Sequence, residues 1–133
     1  TAMRAALEAL ALRRGFPRLA AADLEEAAAA IAEAEASQEI LVWEAANRRF
    51  HHAITAPCGM RRLLATIGDQ QRTSARFLFA AWRDLDWQPR SDAEHRQILA
   101  ELQAGRIEPA VRALETHILD AGEALAAKLL ASP

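Results

Sequence analysis

Cysteine is nearly missing from this sequence. Cys58 stands alone, so no disulfide can form within the chain, and a reducing, cytoplasmic setting is the default expectation. Glycine and proline number only five each, and neither gathers into a linker. That scarcity excludes a disordered or two-part chain and favours one folded domain over residues 1–133. There is no basic excess: the formal net charge is −2 and the pI is near 6.1. A nucleic-acid surface usually needs one. The pairs Arg13-Arg14, Arg48-Arg49 and Arg61-Arg62 are scattered, as on ordinary solvated helix faces. No apolar run is long enough to span a bilayer, and no signal peptide is visible, so no membrane partner is expected. Methionine does not open the chain, which starts at Thr1; the sequence looks like a piece of something longer, and a missing N-terminal domain stays open.

What is abundant is helix-forming. Hydrophobic residues make up 52% of the chain, with alanine and leucine dominant and glutamate and arginine between them. β-branched residues are sparse and no strand pattern appears. The spacing predicts six helices in an all-α, antiparallel bundle joined by short turns. The first spans Met3 to Arg14, with Gly15 as its stop. The second begins at Asp23, where Asp23 and Glu26 have capping-box spacing, and runs to Ala36. The third covers Gln38 to Thr55. The fourth covers Arg61 to Trp82, followed by a loop from Asp84 to Arg90. The fifth begins at a second capping box, Ser91 to Glu94, and ends near Gln103 before Gly105. The sixth begins at Pro109 and runs to Leu130.

Three of the four histidines fall on apolar stripes of three different helices. In the third helix the stripe reads Ile40, Trp43, Asn47, Phe50, Ile54, with His51 beside it. Asn47 and His51 are four apart and project side by side. His95 leads Ile98, Leu99 and Leu102, and His117 lies between Leu114 and Ala121. His52 is about 100° around from His51 and points away from the core. A single core histidine needs only a hydrogen-bond partner. Three on separate helices, with an asparagine one turn from the first, also suit a metal site built from inward side chains. No local metal motif decides between these two readings.

The run Asn47-Arg48-Arg49-Phe50-His51 resembles the Asp-x-x-Phe-His motif of the FCD domain, the effector domain of FadR-type GntR transcription regulators. Ser91-x-x-Glu94-His95, followed by Ile98-Leu99 and Gly105, is similar to that family's second motif. Ala110 to His117 resembles the third, and Arg4-x-x-Leu7-Glu8 resembles the domain's start. The resemblance spans essentially the whole chain. It implies an FCD-like helical bundle in which Asn47, His51, His95 and His117 hold a divalent metal, with Zn or Ni favoured. Two positions depart from the pattern. Asn47 replaces the usual aspartate, so an amide oxygen would coordinate without bringing charge, and Gly59-Met60 stands where the family often has Gly-Asn. The resemblance also implies a homodimer, and DNA binding only through a preceding winged helix-turn-helix domain that this chain lacks.

A divalent cation on four neutral ligands leaves a net charge of about +2, which favours an anionic effector. A small organic acid is the expected partner. Gln71 and Ser74, on the stripe of the fourth helix with Leu64, Ile67 and Leu78, are the first candidates for effector contacts. Arg72 and Arg48, at the edges of their stripes, are candidates for bidentate contact with a carboxylate. Arg76 projects further away. Two other readings remain open: a metal-dependent hydrolase with a three-histidine site, which needs a general base, and a ligand-free helical dimerisation module. Glu94 adjoins His95 but is accounted for by its capping-box place, and no other carboxylate is expected near the histidines.

Overall fold

A computed structural model describes residues 1–81 and 87–131 of the chain. Six helices and no strand occur among them: α1 (Ala2–Gly15), α2 (Ala21–Glu35), α3 (Ile40–Thr55), α4 (Arg61–Ala81), α5 (Gln88–Gln103) and α6 (Ile107–Ala131). Single 3-10 turns, Phe16–Arg18 and Ala56–Cys58, follow α1 and α3. The expected all-α class and helix number therefore hold. The expected end of the fourth helix at Trp82, and residues 84–86 of the loop after it, lie outside the described residues.

Three helices, α2, α5 and α6, start two or three residues earlier than expected, each with an acid or a proline close to its start. Helix α2 begins at Ala21 rather than Asp23, and the Asp23 carboxylate reaches back to accept the Ala20 N–H at 2.8 Å. An acid in the first turn satisfies an orphan amide as well as one at the cap does. Helix α5 begins at Gln88, with Pro89 in the first turn where its missing N–H costs nothing. Ser91 thus lies inside the helix, buried, and is not its cap. Helix α6 likewise starts two residues before Pro109.

The core lies where apolar stripes meet. Leu12 of α1, Ile31 of α2, Phe50 and Ile54 of α3, Ile98, Leu99 and Leu102 of α5, and Val111, Leu114 and Ile118 of α6 form one buried cluster. Helix α2 lies along α3 through small residues: Ala27, Ala30 and Ala34 are buried, as are Ala46 and Ala53 opposite. Helix α6 packs on α1 and α5, while α4 covers the open side of α1, α3 and α6. Exposed arginines of neighbouring helices tie to acids of α2, Arg49 to Glu26 and Glu33, and Arg96 to Glu35.

Gly15 does not end α1 by turning left-handed; its φ is −85° and the chain runs on into the first 3-10 turn. Its role is close approach. A Cβ there would sit 2.6 Å from the Cys58 amide nitrogen and 3.0 Å from the Pro57 carbonyl carbon. Arg18 donates to the carbonyls of Pro57 (2.8 Å) and Cys58 (2.6 Å), fastening the ends of α1 and α3 together. Gly59 (φ 66°) and Gly105 (φ 73°) are the true left-handed positions.

Gly15→Ala is therefore expected to lower stability by about 1–3 kcal/mol, because backbone must move aside. Gly68→Ala, where a Cβ meets only the Arg72 guanidinium at 3.6 Å, is expected to raise it by about 0.5–1 kcal/mol. Urea denaturation of the two variants beside the parent checks the contrast; equal midpoints would contradict it.

Candidate metal centre and effector cavity

Helical phasing brings His51, His95 and His117 together in the bundle. All three are buried, and each offers a ligand atom within 4.8 Å of the others. The His95 and His117 Nε2 atoms face each other at 2.9 Å. The His51 ring lies edge-on to His95 at 5.1 Å and stacks with His117 at 5.6 Å between centroids. Phe50 stacks on His95 at 4.3 Å, which holds that ring in place. His52, the next residue on α3, is exposed.

Two carboxylates orient the rings. His51 Nδ1 is 2.7 Å from Glu8 Oε2, and His117 Nδ1 is 3.0 Å from Glu94 Oε1. Glu8 is completely buried on α1, yet its other oxygen accepts from Arg4 Nε at 3.1 Å and from Gln71 Nε2 at 2.9 Å. Burial by itself raises the Glu8 carboxyl, but His51 and Arg4 beside it, with the hydrogen bonds from His51 and Gln71, bring it down to about 2. Burial pushes His51 below its ordinary value even though Glu8 opposes it. His95 falls well below, through burial and then its histidine neighbours.

These charge states fix a tautomer. An ionised Glu8 can only accept, so His51 donates from Nδ1, and in a neutral ring Nε2 is then a bare lone pair. That Nε2 is buried and has no hydrogen-bond partner. A buried acceptor left alone costs about 1–3 kcal/mol. A lone pair facing two further imidazole nitrogens, with carboxylates behind two of the rings, is the donor set of a histidine-held cation with its orienting outer layer. The residues present fit a metal.

His117 also lines a cavity of about 300 Å³ enclosed by α1, α3, α4, α5 and α6. Asn47 lines it too and is half-buried. So do Gln71 and Ser74 of α4. Arg72 and Arg48 do not. Arg72 is exposed and paired with Asp69 on its own helix, and Arg48 is half-exposed, 3.4 Å from Glu44. Their positions at the stripe edges turn them outward, correcting their expected place near a carboxylate. Arg4, whose side chain is 12% exposed, does line the cavity.

Sequence reasoning missed the carboxylates. Glu8 sits between Ala5 and Leu12, three and four residues away, on the buried face of α1, and that spacing was the available signal. Glu94 is half-buried on α5 and reaches His117; with Ser91 inside the helix, this contact stands in place of the cap role expected of it. With Glu8 and Glu94 both lowered toward the ionised form, the surroundings are less positive than four neutral ligands alone imply.

Both histidine shifts have one consequence for stability. Their folded values lie below the unfolded 6.5, so as pH falls the unfolded chain binds the proton first and folding loses free energy from about pH 6.5 downward. Glu8 adds a second loss as pH falls from 4.5 toward about 2. The metal-free protein should therefore lose folding free energy progressively from pH 7 to 5, by at most about 1.4 kcal/mol per pH unit for each of these two rings. His95→Gln, which cannot titrate, should show the shallower slope; parallel slopes would refute the assignment of the loss to His95.

The family model for the FCD domain matches residues 1–120. No protein of curated function matches the sequence. Among solved structures, a transcriptional regulator of the GntR family from Pseudomonas syringae pv. tomato superposes with a TM-score of 0.86 at 28% identity. The match covers 97% of this chain and 54% of that one, so the chain spans about half the length of that regulator.

Proposed function

The chain belongs to the FCD-domain family, and from that premise we propose that residues 1–133 are the ligand-sensing domain of a FadR-type GntR transcription regulator. In this reading His51, His95 and His117, with Asn47 as a fourth donor, hold a divalent metal, Zn or Ni by ligand type. A small organic acid occupies the adjoining cavity. The observation that carries the reading is the unpartnered, buried Nε2 of His51 beside the two other imidazoles.

The metal would supply positive charge at the His117 end of the cavity. The chain's own groups do the rest. Glu8 and Glu94 fix the rings of His51 and His117, and Gln71 ties α4 to α1 through Glu8. Ser74 and Arg4 line the space an acid would enter. Arg4 is already shared with Glu8, so it assists a ligand carboxylate and does not hold it alone. Glu8 and Glu94 are engaged as ring partners, but Glu44 also lines the cavity with an unpartnered oxygen, so the sensor is preferred over the hydrolase on the family match and not on the lack of a general base. Regulation follows if the acid prefers one conformation of a cytoplasmic homodimer whose DNA contacts are made by an N-terminal winged helix-turn-helix domain.

Elemental analysis of protein never exposed to chelator should find about one divalent metal per chain. His95→Ala and His117→Ala should each lose it, while His52→Ala keeps it. A parent protein without metal, and without uptake on titration, would sink the reading.

Asn47→Asp should move two affinities in opposite directions. The added carboxylate tightens the metal, and the lower positive charge weakens an anionic ligand. Calorimetric titration with Zn(II), and then with a simple carboxylate such as acetate, measures both. A variant with a lower melting point and no gain in metal affinity would remove Asn47 from the ligand set.

A further inference from the structure

Among the described residues, three buried side-chain atoms lack a hydrogen-bond partner: His51 Nε2, Glu44 Oε2 and Ser91 Oγ. The first belongs to the metal centre. The other two have no part in it, yet both residues line the same cavity. Glu44, on α3, is 4% exposed, and Ser91, on α5, is 1% exposed. Glu44 has Arg48 at 3.4 Å from Oε1, on the solvent side, and nothing at Oε2. Burial pushes its carboxyl up, against Arg48 and Arg4. A carboxylate oxygen and a hydroxyl, both buried and unanswered on one cavity, are costly to a folded chain unless something else answers them.

What answers a carboxylate oxygen is a hydrogen-bond donor. A ligand hydroxyl can donate to Glu44 Oε2 and accept from the Ser91 hydroxyl; a ligand ammonium can donate to both. Arg4 and the metal centre already account for an acid group. We propose that Glu44 and Ser91 are specificity-determining residues that receive a donor carried by the effector, so that the domain takes hydroxy- or aminocarboxylates and rejects the same acid without the donor. The proposal rests on the reading of this cavity as the effector site. An acid lacking the donor leaves both groups buried and unpaired, so discrimination of about tenfold or more is expected.

The test uses metal-loaded protein and matched probes: lactate, alanine and propionate; malate, aspartate and succinate; mandelate, phenylglycine and phenylacetate. Calorimetry or thermal shift should show, in whichever set binds, the hydroxy or amino member at least about tenfold tighter than the unsubstituted acid. Ser91→Ala should reduce that preference. Glu44→Gln should reduce it more for an amino ligand than for a hydroxy one, because only the ammonium loses an ion pair. An unsubstituted acid binding as tightly as its partners overturns the proposal but leaves the sensor reading intact. No binding by any member overturns both. A ligand-free measurement guards against misfolded variants: Glu44→Met should raise the melting temperature of the metal-free protein, since an unanswered buried carboxylate is removed. A lower melting temperature, with Glu44→Gln unaltered, would mean that Glu44 serves the fold and not a ligand.

Discussion

A carboxylate with no exposed surface stays ionised only when its lone pairs are answered, and the arrangement of this bundle around Glu8 follows from that. Its oxygens take hydrogen bonds from three helices: Arg4 on its own α1, His51 on α3 and Gln71 on α4. Remove the carboxylate and the buried His51, with the half-buried Arg4 and Gln71, lose an acceptor together. Because Glu8 must accept, His51 is held as the tautomer with a free Nε2. Because Gln71 must donate, α4 is drawn onto α1 and closes the cavity. One charge thus sets the protonation of the proposed ligand and the position of a wall.

The fastening of α1 to α3 at their ends serves the same arrangement. Gly15 lets the Cys58 backbone approach, and Arg18 takes the carbonyls there. The two helices are pinned about two turns beyond Glu8, so its distance to His51 is fixed by backbone contact more than by side-chain choice.

Much of this was legible in the sequence. The period of apolar residues placed His51, His95 and His117 inward and His52 outward, because a helix face is a matter of counting. The helix number and most boundaries followed from the same count. What escaped were features that counting does not rank. Glu8 has the spacing of a buried residue but the chemistry of an exposed one, and only its three partners, 4, 43 and 63 residues away, explain its place. Arg48 and Arg72 sit at stripe edges, where a few tens of degrees decide between cavity and solvent, and acids on their own helices hold them outside. Asp23 and Ser91 have cap spacing, yet an acid in the first turn and a proline at Pro89 let each helix start earlier.

The alanine seam between α2 and α3 bears on how such a domain diversifies. Helix α2 contributes no residue to the cavity. Much of its buried face is methyl groups, with Ile31 among them and the Arg49 pairs to Glu26 and Glu33 on the outside, so little side chain is buried there to fold aside. A larger residue at Ala27, Ala30 or Ala34 acts as a wedge, and the displaced helix is the one that carries Glu44, Asn47 and His51. Lineages that change what the domain responds to need not alter the cavity's own residues; a methylene on the far side of α3 re-aims Glu44 and Asn47 in the cavity, and His51 beside it, at once.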